Sequence, residues 1–235
     1  MALADAVIHT AFDHTFTDFT ARMEKERRVL EAMGAELAGS DRPFIITSGT
    51  GMGSPTPGAL ATEDVIDRDN FNPRIVSERV GEELAAKGVS VAVVRLPQVH
   101  DTAKQGLITP LIAIYRDKGV AACVGDGANR WPAAHVTDVA LLYRLALDRH
   151  QSGARYHAVA EEGISVRAIA EVLAARLSLP VRSVAPDAAE DTLGWMARFA
   201  QVDLPASSAW NRRHLGWTPV GPDLLTDLRA LDAAA

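Results

Sequence analysis

Short runs of β-branched and apolar residues alternate with amphipathic stretches along most of the 235 residues. The runs at 6–10, 43–47, 90–96, 121–124, 155–159 and 181–184 have the length and the Val and Ile content of buried strands. Between them, 16–33, 73–86, 108–118, 137–147 and 166–177 repeat apolar residues at helical spacing. The last stretch puts Val166, Ile169, Leu173 and Leu177 on one face, with Ser165 placed to cap it, while Asn72-Pro73 has the form of a cap followed by proline at the first helical position. Strand and helix in alternation predict an α/β chain: a mostly parallel sheet flanked by helices. The loop 49–70, rich in Gly, Pro, Thr and Asp, is long for a plain connection and is a candidate functional segment.

Composition narrows the partners. Apolar residues make up 48% and charged residues 23%, the balance of an ordinary globular protein. A net charge of −6 argues against a nonspecific grip on nucleic acid or an anionic membrane, since both draw on clustered Lys and Arg. The densest basic stretch, Arg22 to Arg28, is interrupted by Glu24 and Glu26 and reads as a solvated helix face. The single cysteine, Cys123, sits among Val120, Ala121, Ala122 and Val124, which implies a buried, inert thiol and a reducing compartment. No apolar run reaches the roughly 18 residues of a membrane span and no signal-peptide pattern is present, so a cytoplasmic location is expected. No His and carboxylate grouping has metal-ligand spacing, and no metal is expected.

Two glycine clusters have the partial form of a phosphate loop. Gly49-Thr50-Gly51-Met52-Gly53 follows a strand, but Pro55 and Pro57 stand where a helix should open. Gly125-Asp126-Gly127 lacks a third glycine at the required offset and runs into Trp131-Pro132. Neither is expected to cradle a pyrophosphate.

Larger segments fall into a recognisable order. Asp5-Ala6-Val7-Ile8-His9-Thr10-Ala11 is followed by Phe44-Ile45-Ile46-Thr47-Ser48 with its glycine turn, then by Arg95-Leu96-Pro97-Gln98-Val99-His100. Gly125-Asp126-Gly127, Arg130-Trp131 and His135-Val136-Thr137-Asp138-Val139-Ala140 come next, and Tyr156-His157-Ala158-Val159 and Leu215-Gly216-Trp217-Thr218-Pro219 close the series. From residue 5 to about residue 231 this order resembles the extended and atypical short-chain dehydrogenases, which include NAD-dependent epimerases and dehydratases and 3β-hydroxysteroid-dehydrogenase-like proteins.

The resemblance implies a partial Rossmann-like sheet, with residues 1–100 forming a truncated NAD(P)-binding part that starts at the family's fourth strand. Residues 101–235 would form a smaller C-terminal α/β substrate region, with 155–159 returning to the sheet. It implies NAD or NADP as cofactor, bordered by His9, Thr10, Ala11, Thr47 and Pro97, and a small carbonyl, sugar or steroid-like substrate. Ser48 would donate a hydrogen bond to the substrate carbonyl, and Arg130 and His100 would touch the substrate. Each residue has a plainer alternative: His9 and Ser48 could satisfy nearby backbone, and Arg130 could form a surface salt bridge. Asp138 reads as the cap of the helix 139–147.

Two departures stand out. In the family a Tyr moves the proton and a Lys four residues later lowers its pKa; alignment on Ser77 and Glu82 puts Arg74 and Glu78 at those places, and a one-residue shift gives Ile75 and Arg79. None of Tyr115, Tyr143 and Tyr156 has a Lys four positions on. Arginine stays protonated to above about pH 12, so Arg74 and Glu78 are not expected to replace the pair and impaired catalysis is expected. The second departure is the missing glycine-rich opening, which implies a start inside a longer reading frame or a shortened ancestral gene. Strand 6–10 would then be an apolar edge open to pairing with a second copy. A non-catalytic ligand-binding or interaction remnant of the family is the alternative reading.

Overall fold

A computed structural model describes residues 4–12 and 19–231. In the first half, strands β1 (Val7–His9), β2 (Phe44–Gly49) and β3 (Val91–Leu96) alternate with helices α1 (Phe19–Leu37) and α2 (Ile75–Ala86). The chain continues through β4 (Gln98–His100), α3 (Ile108–Lys118), β5 (Ala121–Val124), β6 (Arg130–His135) and α4 (Val136–Asp148). After β7 (Arg155–His157), β8 (Glu161–Ser165), α5 (Val166–Leu177) and β9 (Val181–Val184) come short helices, among them Ala209–Leu215 and Leu224–Arg229.

The main sheet has the order β1-β2-β3-β7, all parallel, in a register that pairs Ile46 with Val93 and Arg95 with His157. Its central strands are apolar on both faces because helices cover both. Phe44 and Ile46 pack with Leu30, Leu37, Val80 and Leu84 of α1 and α2, while Ile45 and Val94 pack with Val139 and Leu142 of α4. β1 forms one edge of the described sheet, with Ile8 40% exposed. A second sheet, β4-β6-β8, joins β4 parallel and β8 antiparallel to β6, and β5 pairs with β9. Trp131, Leu111, Ile169, Leu173 and Leu224 fill the core of this half.

Every run expected as a strand is one, within a residue or two at its ends, and Ser165 caps α5 by accepting from the Ala168 N–H. β4, β6 and β8 were not expected. Pro132 interrupts the β6 pattern, and the register shift between Trp131 and Ala133 absorbs it; β8 is polar and carries Gly163.

Other expectations are corrected. α1 runs on to Leu37, and 16–18 of the expected helix lie outside the described residues. Asn72 caps the Arg74 N–H at 3.0 Å, but bonds from Val76 to Pro73 and from Ser77 to Arg74 make this a tight turn, and α2 starts only at Ile75. His135, not Asp138, caps α4; both Asp138 oxygens accept instead from the Val220 and Gly221 N–H groups and tie down the C-terminal segment. The stretch Arg22–Arg28 is a solvated face only in part: Glu24, Lys25 and Arg28 are exposed, but Arg22 and Glu26 are buried. Cys123 is buried. Among the described residues no helix is long and apolar enough to cross a membrane, and no group of three or more His, Cys, Asp or Glu could hold a metal.

Gly53 ends the 3-10 turn Thr50–Gly53 that follows β2, where a Cβ would stand 2.5 Å from Arg95 Nη1 and 2.6 Å from the Thr62 carbonyl. Gly53→Ala is therefore expected to cost about 1–3 kcal/mol by overpacking, read as a lower urea midpoint. An unchanged midpoint would show that the turn yields freely.

Candidate functional site

Parallel sheets offer ligands the crevice beyond the carboxyl ends of their strands. Here those ends are His9 to Phe12 after β1, Thr47 to Gly49 in β2, and Pro97 after β3. Side chains alternate along β2, so Thr47 faces α4 while Ser48 shares the α1 and α2 face with Ile46. Thr47 Oγ1 donates to the His9 carbonyl at 2.7 Å and accepts from the Tyr143 hydroxyl at 2.6 Å, clamping the ends of β1, β2 and α4 together. Burial pushes the Tyr143 phenol up to about 12, so it is a fixed hydrogen-bond donor and not a proton source near neutrality.

On the other face His9 Nε2 lies 3.1 Å from Glu26 Oε2, and the Ser77 hydroxyl donates to Glu26 Oε1 at 2.9 Å. Burial alone would raise the Glu26 carboxyl, but the bonds from His9 and Ser77 and the fields of His9 and Arg74 outweigh it and leave the pKa below the ordinary value. Both Glu26 oxygens are thus engaged.

Arg74 reaches across the end of β2. Its Nη2 donates to the Thr47 carbonyl at 2.6 Å, and its guanidinium carbon lies 4.1 Å above the Phe12 ring. Among the described residues it has no ion-pair partner, although burial lowers its pKa, with the Glu26 and Tyr143 fields opposing. Ser48 is 2% exposed, and its Oγ has no hydrogen-bond partner among the described residues. Buried hydroxyls are normally bonded, which sets this one apart.

The other residues singled out in the sequence go elsewhere or stand at the rim. Thr10 and Ala11 are exposed beyond β1, and Pro97 is half-buried beyond β3. Glu78 points into the protein, where Arg95 grips both its oxygens at 2.6 and 2.9 Å and Arg155 adds a bond at 3.0 Å. His100 is buried in β4, with Nδ1 2.7 Å from Asp227 and the His135 ring edge-on at 5.7 Å. Arg130 forks onto Asp203 at 3.1 and 2.8 Å in a part-exposed pair. The structure therefore brings together His9, Thr47, Ser48 and Arg74, and it adds Phe12, Glu26, Ser77 and Tyr143, which the sequence reading missed.

A parallel sheet with a polar cluster at its carboxyl ends and helices on both faces defines a Rossmann-like α/β fold. DesIV, a dTDP-glucose 4,6-dehydratase from Streptomyces venezuelae solved with NAD, superposes with a TM-score of 0.72 at 20% identity, covering 97% of this chain and 73% of that one. Human epimerase family protein SDR39U1, solved with NADPH, gives 0.73 at 15% identity, covering 97% and 81%. At these identities the likeness is one of fold.

In sequence the chain is 41% identical over 229 residues to the uncharacterized protein C2A9.02 of Schizosaccharomyces pombe and 40% identical to the uncharacterized protein YLL056C of Saccharomyces cerevisiae. The match covers 97% of this chain and 77% and 76% of theirs, and the chain belongs to their family. No protein-family model matches it.

Proposed function

We propose that the cluster at the carboxyl ends of β1 to β3 is a carbonyl-binding site of short-chain dehydrogenase type, linked to NAD or NADP and working without the family's proton-transfer pair. The observation that carries this is the buried, unpartnered Ser48 hydroxyl one residue from the Thr47 carbonyl that Arg74 grips. Proteins of the same fold are solved with NAD and NADPH, which supports the choice of cofactor.

His9, Thr10, Ala11, Thr47 and Pro97 would border the nicotinamide, since they lie at or just beyond the carboxyl ends of β1, β2 and β3. The diphosphate has no matching cradle among the described residues: Gly49–Gly53 ends in a 3-10 turn that leads into extended chain at Ser54, and Gly125–Gly127 leads into β6. Bound there, the nicotinamide would exchange a hydride with the carbonyl carbon. Ser48 needs no activation to donate a hydrogen bond to the carbonyl oxygen, and Arg74 adds a fixed positive charge beside it. Neither group moves a proton near neutrality, so turnover is expected to be slow or absent.

Fluorescence titration tests this reading. Addition of NADH or NADPH to the chain is expected to change the cofactor emission, and emission unchanged at millimolar cofactor would sink the redox reading. The sequestration of Glu78 by Arg95 supports a second reading, in which the same pocket binds a ligand and performs no chemistry.

A further inference from the structure

We propose that Arg74 is the counter-ion for a substrate carboxylate, so that the site takes a small 2-oxo or 3-oxo acid in preference to a neutral carbonyl compound. The inference deepens the carbonyl-site reading and rests on it. A guanidinium carries five N–H donors, and Arg74 spends one of them on the Thr47 carbonyl. Phe12 lies against its face and fixes the plane of the fork. The remaining edge has the geometry that meets a carboxylate through two parallel bonds.

The nearby carboxylate acts on Arg74 through its field but makes no direct bond to it. Glu26 is engaged on Oε1 by Ser77 and on Oε2 by His9, and Arg74 has no ion pair among the described residues. A half-buried cation bonded only to a neutral carbonyl keeps part of its desolvation cost, and a bound anion would offset it.

The shape of the fork favours a carboxylate. Its two parallel N–H donors match two carboxylate oxygens, whereas a phosphate dianion would bring a second negative charge beside Glu26. The second polar group of the ligand is set by Ser48, whose free hydroxyl follows the very carbonyl that anchors Arg74. A carboxylate on Arg74 with a carbonyl on Ser48 describes a small oxo acid.

The test is ligand-detected saturation-transfer NMR on the chain, without nicotinamide, using 2-oxobutyrate and its neutral counterpart 2-butanone. Loss of a charge-assisted bidentate pair should weaken binding by about tenfold or more, so Arg74→Met should lose most of the 2-oxobutyrate affinity and weaken 2-butanone by a much smaller factor. Arg74→Lys keeps the charge without the fork and should fall between wild type and Arg74→Met; circular dichroism confirms that each variant is folded. If 2-oxobutyrate binds no better than 2-butanone, or equally well to Arg74→Met, the assignment is wrong. Displacement of 2-oxobutyrate by inorganic phosphate more readily than by acetate would likewise overturn the carboxylate choice. A silent NADH titration with intact 2-oxobutyrate binding fails only the redox reading, while the reverse result fails only this inference.

Discussion

Glu78→Ala is expected to destabilise the fold by about 3–5 kcal/mol, because it strands a cation that has no access to water. Arg95 and Glu78 are both 0% exposed in their side chains, and the pair is closed by two bonds at 2.6 and 2.9 Å. Arg95 also donates to the Thr62 carbonyl at 3.2 Å and to His157 Nε2 at 3.1 Å, and Arg155 links Glu78 to Glu82. Urea unfolding reads the loss directly. A double variant, Glu78→Leu with Arg95→Met, removes both charges and is expected to be more stable than either single variant, since the desolvation cost disappears together with the attraction. A loss below about 1 kcal/mol for Glu78→Ala would mean that water reaches the pair, against its burial. The same network fixes an acid limit. Burial raises the Glu78 carboxyl, but Arg95 and then Arg155 more than offset it, so the folded pKa lies below the unfolded value near 4.5. Its contribution to stability is complete above that value and is lost as the pH falls through the folded pKa.

Acidification should weaken the protein well before the carboxylates titrate, and His157 is the cause. Burial, aided by the Arg95 charge, drops its pKa from 6.5 to about 3. The folded imidazole is neutral, with Nδ1–H donating to the Ser207 carbonyl at 2.9 Å and Nε2 accepting from Arg95. Between pH 6.5 and 3 the unfolded chain holds the proton and the folded chain does not, so stability is full above 6.5 and falls as the pH drops through that window. One proton sets a limiting slope of about 1.4 kcal/mol per pH unit. His150, also lowered by burial, acts in the same direction. Unfolding free energies measured from pH 7.5 to pH 5 should show proton uptake on unfolding that His157→Gln reduces by about one proton. If the variant and the wild type have the same pH dependence, His157 is not held neutral.

Much of this could be read from the chain. Phe44–Ile46 of β2 and Val91–Val94 of β3 are unbroken apolar runs, as strands covered on both faces require, and Ser48 was found because it follows such a run. Glu26 left a signal that was misread. Met23, Leu30, Met33 and Leu37 recur at helical spacing on α1, and Glu26 stands in that stripe, so a carboxylate on the core face should have been asked for its partner. Arg95 left a comparable signal inside an otherwise apolar strand. Nothing local says that its partner is Glu78 on the preceding helix, or that Asp138 binds backbone more than eighty residues further on.

The sequence by itself determined the alternation of strand and helix, the parallel sheet and the strand ends at which polar residues gather, because periodicity, caps and turn residues act over a few neighbours. The tertiary structure decided which polar residues are spent on one another and which are not. Glu78 and Arg74 lie four residues apart on one turn of chain, yet one is locked between arginines and the other reaches the Thr47 carbonyl at the end of β2. Pairing of charges depends on which elements are brought side by side, and residues far apart in sequence supply the partners.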